Sequence, residues 1–179
     1  MNLPFSTKFP SGDPTYFIQK IWQGLVDDPN LFKLATHNIQ VYVKQHTDKF
    51  GRLWEVPPAN ATSAKIHTIR ADEKDRWKAG RLIHFIINNR SKERFQFAPV
   101  IAVKSLEKFV LEWQDIEGDG VMEPIGWIDG KVFALGRDAE NWIELAKNDG
   151  FESTEDFFNW FDKPFKGKII HWTNHKYVC

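Results

Sequence analysis

The chain has 179 residues, with 24 basic and 24 acidic side chains, so it carries no net charge with which to hold a long polyanion. Its 42% apolar content and 15 Phe and 8 Trp exclude a disordered segment and require large rings in a core or a cleft. The only cysteine is Cys179, which excludes an internal disulfide and a cysteine-built metal site and fits a reducing compartment.

The opening residues, MNLPFSTKFPSGDP, have neither the basic nor the apolar region of a secretory leader. No apolar run approaches the ~18 residues of a membrane span, so a cytoplasmic protein with no membrane partner is expected. The Asn60-Ala-Thr62 sequon is then without consequence. Pro10, Gly12, Asp13 and Pro14 make a turn, after which Tyr16, Phe17, Ile18, Ile21, Trp22 and Leu25 recur at helical spacing. That helix ends before Asp27-Asp28-Pro29. Over residues 30–64, Ile39, Val41 and Val43 alternate with polar neighbours, and DKFG turns the chain toward RLWEV, which predicts a hairpin. Pro57 and Pro58 break any regular element there.

From Ile66 the chain reads as short strands: Ile66 to Arg70, Arg81 to Ile87, Phe95 to Val103, Lys108 to Trp113, Ile125 to Ile128 and Lys131 to Leu135. Asp129-Gly130 joins the last two as a tight hairpin turn, because Gly accepts the positive φ that such turns demand. Asp138 is placed to cap a helix carrying Trp142, Ile143, Leu145 and Ala146, stopped at Gly150. Ser153 caps a second helix, with Asp156 at its third position, and Gly167 to Thr173 makes a closing strand. The pattern predicts one α+β domain over residues 1–179, with a small, mostly antiparallel barrel and flanking helices.

The stretch AKIHTIRADEKDRWKAG packs Lys65, His67, Thr68 and Arg70 into the width of one strand. From Lys65 to Arg94 basic residues outnumber acidic ones, whereas Trp113 to Asp162 is acidic, so one face can hold an anion. Residues an odd number apart point to opposite faces of a straight strand. Lys65 reaches the face of Thr68 and Arg70 only if the strand begins near Ile66 and Lys65 lies in the entering loop. Pattern alone also fits an ordinary strand that packs Ile66 and exposes its neighbours. A threonine hydroxyl needs a base to become a nucleophile, and Lys65 serves if burial favours its neutral amine. Asp149, ending a helix, is a candidate acid for a leaving amine, and equally an ordinary residue of a helix stop. His171 and His175 fall at a strand end rather than on a helix, and there is no phosphate loop, dinucleotide motif or calcium loop. Neither a metal nor a cofactor is expected.

KIHTIR, RWKAGRLIHF, VKSLEKFVLEW, LAKNDGFESTEDFFNWF and GKIIHWT together resemble the ASCH domain family, from about Tyr16 to the C-terminus, with residues 28–64 as an insertion. The resemblance implies a PUA-like β-barrel whose cleft accepts a nucleoside, a nucleotide or an RNA segment. It also implies, from relatives that deacetylate N-acetylated cytidine, a catalytic set of Lys65, Thr68 and an acid at Asp149, where those relatives carry Glu. His67 is expected to point away. Three functions follow as expectations. The first is a nucleotide- or RNA-binding domain, with bases stacked on Trp77 or Trp172 and phosphate held by Arg70 and Arg81. The second is an amidohydrolase of N-acylated pyrimidine nucleosides, with Thr68 attacking, Lys65 as base and Asp149 as acid. The third is a non-catalytic protein interaction module.

Overall fold

The computed structural model describes residues 1–59 and 63–177; the Asn60 sequon and Cys179 lie outside the described residues. In chain order the elements are β1 (Asn2–Pro4), α1 (Phe17–Asp27), α2 (Phe32–Phe50), β2 (His67–Arg70), β3 (Leu82–Ile87), β4 (Phe95–Gln96), β5 (Ile101–Ala102), β6 (Ser105–Asp115), β7 (Met122–Ile128), β8 (Lys131–Leu135), α3 (Asn141–Asn148), α4 (Thr154–Trp160) and β9 (Phe165–His171). This is the expected mix of helix and largely antiparallel sheet. None of the four helices is long and apolar enough to cross a membrane among the described residues.

The strands form two sheets. One runs β2-β9-β6-β7-β8, antiparallel throughout; the other runs β1-β3-β4, with β5 also on β3. β1 pairs with β3 in parallel, an element that the short apolar content of NLP gave no reason to expect. The stretch between β5 and β6 belongs to both sheets: Val103 N–H donates to Arg81 O (2.9 Å), and Lys104 N–H donates to His171 O on β9 (2.8 Å). Phe5 packs between them against Phe85, Phe97 and Trp172, with ring centroids 5.8–6.4 Å apart.

Residues 32–50 correct the sequence reading, since they form one helix instead of a hairpin. Ala35, Ile39, Tyr42, His46 and Phe50 line its inner face at spacings of three and four, and the alternating Val41 is half exposed. The face was hidden because two of its members are His and Tyr, which an apolar pattern passes over. Gly51, at φ 69°, ends the helix, and its N–H donates to Thr47 O. The expected strand from Phe95 to Val103 is likewise split, because Pro99 has no N–H to donate, so β4 and β5 pair with different parts of β3. Asp138 is not the cap of α3, which starts later with Glu140 in the cap position and no side-chain cap bond. Ser153 does cap α4: its Oγ accepts from Asp156 N–H at 3.0 Å and donates to the Asp156 carboxylate. Asp129 and Gly130 hold positive φ values of 49° and 82° between β7 and β8, as a tight turn requires.

Candidate active site

Three segments meet around Lys65. Its N–H donates to Lys20 O of α1 (2.9 Å), and the N–H of Ile66 donates to Asn148 O at the end of α3 (3.0 Å). β2 begins only at His67, so Lys65 does lie in the entering loop. Its side chain runs over Gly150, whose φ of 88° turns the chain out of α3, and ends on both the carbonyl and the carboxylate Oδ1 of Asp149. Both residues are buried, 1% and 3% exposed, so this pair is cut off from solvent. Phe17 lies 4.6 Å and Phe5 5.9 Å from the ammonium, and the Arg70 guanidinium sits over the same Phe5 ring at 5.2 Å. Arg70 also donates to Pro4 O (2.7 Å). A neighbouring buried lysine, Lys20, donates to Gly150 O (2.6 Å) and pairs with Glu152, fixing the loop that carries Asp149.

Burial pushes the Lys65 amine down to about 8, against the pull of Asp149, and burial raises the Asp149 carboxyl, against the pull of Lys65 and Arg70. Both shifts favour the uncharged amine and the uncharged acid. Thr68 is buried on β2, opposite Ile170 of β9, and its hydroxyl bonds to no other described residue. The structure thus brings Lys65, Asp149 and Arg70 together, with Thr68 two residues before Arg70 on the same strand.

The other predicted residues stand elsewhere. Trp77 and Trp172 are core residues, 4% and 0% exposed, and present no face to a base. Their rings fill space between elements, which is why a stacking role read from composition does not suit them. Arg81 is exposed just before β3, in the other sheet from Arg70, with Met1 Sδ at 4.0 Å from its guanidinium. His67, expected to point away, instead has Nδ1 3.8 Å from Asp149 Oδ1. It belongs to a buried polar cluster in which its Nε2 meets the Tyr177 hydroxyl (2.6 Å) and His171 Nε2 meets Glu107 (2.6 Å). Tyr177 was missed because its neighbours, HKY near the chain end, show no periodic pattern.

A cleft of about 380 Å³ lies beside the start of α1 and is lined in part by Lys8, Tyr16, Phe17, Arg52 and Trp54. Phe17 is therefore the common wall of this cleft and of the Lys65 site. A second hollow of about 280 Å³ lies on the outer sheet face around Trp127 and Lys166.

A tight backbone approach at the site is at Gly24 of α1, where a Cβ would stand 2.6 Å from the Lys65 carbonyl oxygen. Gly24→Ala is expected to destabilise the fold by about 1–3 kcal/mol through this clash. Alanine's helix propensity, worth about 1 kcal/mol, acts the other way and is the smaller effect. The denaturation midpoint measures the balance, and a rise would show that α1 does not clamp Lys65.

No family model, curated protein or solved structure matches this chain.

Proposed function

We propose that the protein is an amidohydrolase of the PUA-like type that removes a small acyl group from an N-acylated pyrimidine nucleoside. The observation that carries the reading is the buried Lys65–Asp149 pair, each member shifted toward its neutral form, at the entry to the strand that holds Thr68. The substrate class comes from the ASCH resemblance of KIHTIR and LAKNDGF. The two sheets, joined at residues 103–104, are in this reading the two sides of the barrel, and the inserted segment 28–64 adds α2 and Trp54 to the mouth of the cleft.

Neutral Lys65 takes the proton of the Thr68 hydroxyl as its oxygen attacks the acyl carbon. The tetrahedral intermediate collapses when protonated Asp149 gives its proton to the leaving nitrogen, releasing the amine. Water then attacks the threonyl ester as the Asp149 carboxylate takes its proton, Lys65 gives its proton to the departing Thr68 oxygen, and acetic acid leaves, which restores neutral Lys65 and protonated Asp149. The cleft and the buried pair share Phe17 as a wall, so in this reading substrate and water reach the pair only when that ring moves aside.

The test is acetate release from N-acetylcytidine. Because Lys65 must be neutral to act as base and Asp149 protonated to act as acid, the rate is expected to rise as Lys65 becomes neutral and to fall again where Asp149 loses its proton, a bell-shaped profile. The same residue gives stability a matching sign. Its folded pKa lies below the ordinary lysine value, so the folded state binds fewer protons, and its contribution to stability increases from about pH 8 upward. Thr68→Val keeps the shape and removes the hydroxyl, so it is expected to abolish release while nucleoside binding persists. Equal turnover in the two proteins would remove Thr68 as nucleophile.

A nucleotide-binding domain without turnover is the second reading, favoured by Lys8, Arg52 and Trp54 in one cleft. Calorimetric binding of cytidine nucleotides with no acetate release would select it.

A further inference from the structure

Beyond Lys65, Thr68 and Asp149, the site holds a chain of hydrogen bonds whose direction is fixed by its members. The Asn148 amide Nδ2, which only donates, lies 3.1 Å from the Tyr177 hydroxyl. That hydroxyl therefore accepts from Asn148 and has one hydrogen left to give. Its other partner among the described residues is His67 Nε2, at 2.6 Å; if Nε2 donated as well, the hydrogen of this buried hydroxyl would have no acceptor, so the satisfied arrangement has Nε2 accepting. A neutral imidazole that accepts at Nε2 carries its proton on Nδ1. Nδ1 has no hydrogen-bond partner of its own among the described residues and lies 3.8 Å from Asp149 Oδ1, the same oxygen that Lys65 holds.

We propose that His67 is a positioning residue for Asp149, held by Asn148 and Tyr177 as its Nδ1–H tautomer so that this N–H faces the carboxylate. The assignment of the tautomer stands on the hydrogen bonds alone, and its catalytic meaning rests on the acyl-transfer reading above. Burial raises the Tyr177 hydroxyl and drives the imidazole well below its usual range, so each keeps one proton at neutral pH. Tyr177 is itself anchored, since its N–H donates to Glu107 (3.2 Å), which also holds His171. The separation of 3.8 Å exceeds that of a hydrogen bond, about 2.7–3.2 Å, while Lys65 occupies Oδ1. When Asp149 gives up its proton to the leaving nitrogen, the His67 N–H is the neutral donor that stabilises the carboxylate left behind.

The two amide isosteres of histidine separate this role from packing. Asparagine places its N–H near Nδ1, whereas glutamine places it near Nε2. The groups that bear on the outcome are Lys65, His171 and His175 around His67, and Lys65, Arg70 and the Ile69 amide around Asp149. In the full-length protein labelled at histidine nitrogens, magnetic resonance is expected to show His67 as a single Nδ1–H tautomer, and Tyr177→Phe to convert it to a mixture. His67→Gln should raise the Asp149 carboxyl titration by about half a unit to one unit, and His67→Asn should leave it near wild type. In the acetate assay His67→Gln should lower kcat about tenfold at unchanged KM, with His67→Asn restoring most of it. An Nε2–H tautomer in the wild type, or the same Asp149 titration in both variants, would overturn the proposal. If the wild type releases no acetate, the acyl-transfer reading falls, while tautomer and titration still decide what His67 does.

Discussion

Asp149→Ala is expected to cost the protein about 3–5 kcal/mol of stability, because it removes one partner of a buried ion pair and leaves the other without compensation. Lys65 is 1% exposed, and its ammonium lies among Phe5, Phe17 and the backbone of Asp149, with no other carboxylate to take the place of the lost one among the groups that act on it. In a chain of this size that loss lowers Tm by roughly 10 °C or more. The double variant Lys65→Met/Asp149→Leu removes both charges and keeps apolar bulk, so it should recover most of the stability. It should recover none of the acetate release. This contrast separates a pair kept for chemistry from one kept for folding. A single Asp149→Ala variant that melts within 2–3 °C of wild type, on the order of 1 kcal/mol, would mean that the site is hydrated, and the buried acid and base would have to be abandoned.

Trp77→Ala should cost about 3 kcal/mol, the lower end of the range for removing a buried indole. Trp77 closes the charged loop after β2, and the loop is organised from within by Asp72. The Asp72 carboxylate accepts from the N–H groups of Arg76 (2.8 Å) and Trp77 (2.9 Å) and from Lys168 of β9 (3.0 Å). Burial works to raise that carboxyl, and the two amides and Lys168 outweigh it and hold it below the ordinary range. Lys168 also reaches Trp77 O (3.2 Å), so the loss of the ring loosens a loop that stays tethered at its ends. Equilibrium denaturation measures the cost, and an unchanged midpoint would show that the indole is solvated and available to a ligand.

The parts that could be read from the sequence are those whose information is local. Helix α1 follows from apolar residues at helical spacing, α4 from Ser153 and Asp156, and the β7–β8 turn from Asp129-Gly130. In each, the residues that decide the conformation are within one turn of one another. Helix α2 failed the same test because β-branched residues alternate through it by chance, while its packed face uses Tyr42 and His46. β1 failed because its partner, β3, is far along the chain, and the break between β4 and β5 failed because the interruption at Pro99 was passed over in a run of apolar residues.

For the site, the sequence by itself determined which chemistry was available: an amine, a hydroxyl and a guanidinium around one strand, and a carboxylate at a helix stop. Those are properties of residue types and of short spacing, and no fold is needed to state them. Only the tertiary structure decided which of them meet. Asp149 lies far from Lys65 in sequence, and the two touch because α1 and the end of α3 grip the loop before β2 from either side. It also moved His67 from the expected outer face to the edge of the carboxylate and turned Trp77 and Trp172 into core. The physical reason is that burial, which sets both the protonation of Lys65 and the availability of an aromatic face, is a sum over neighbours from distant parts of the chain.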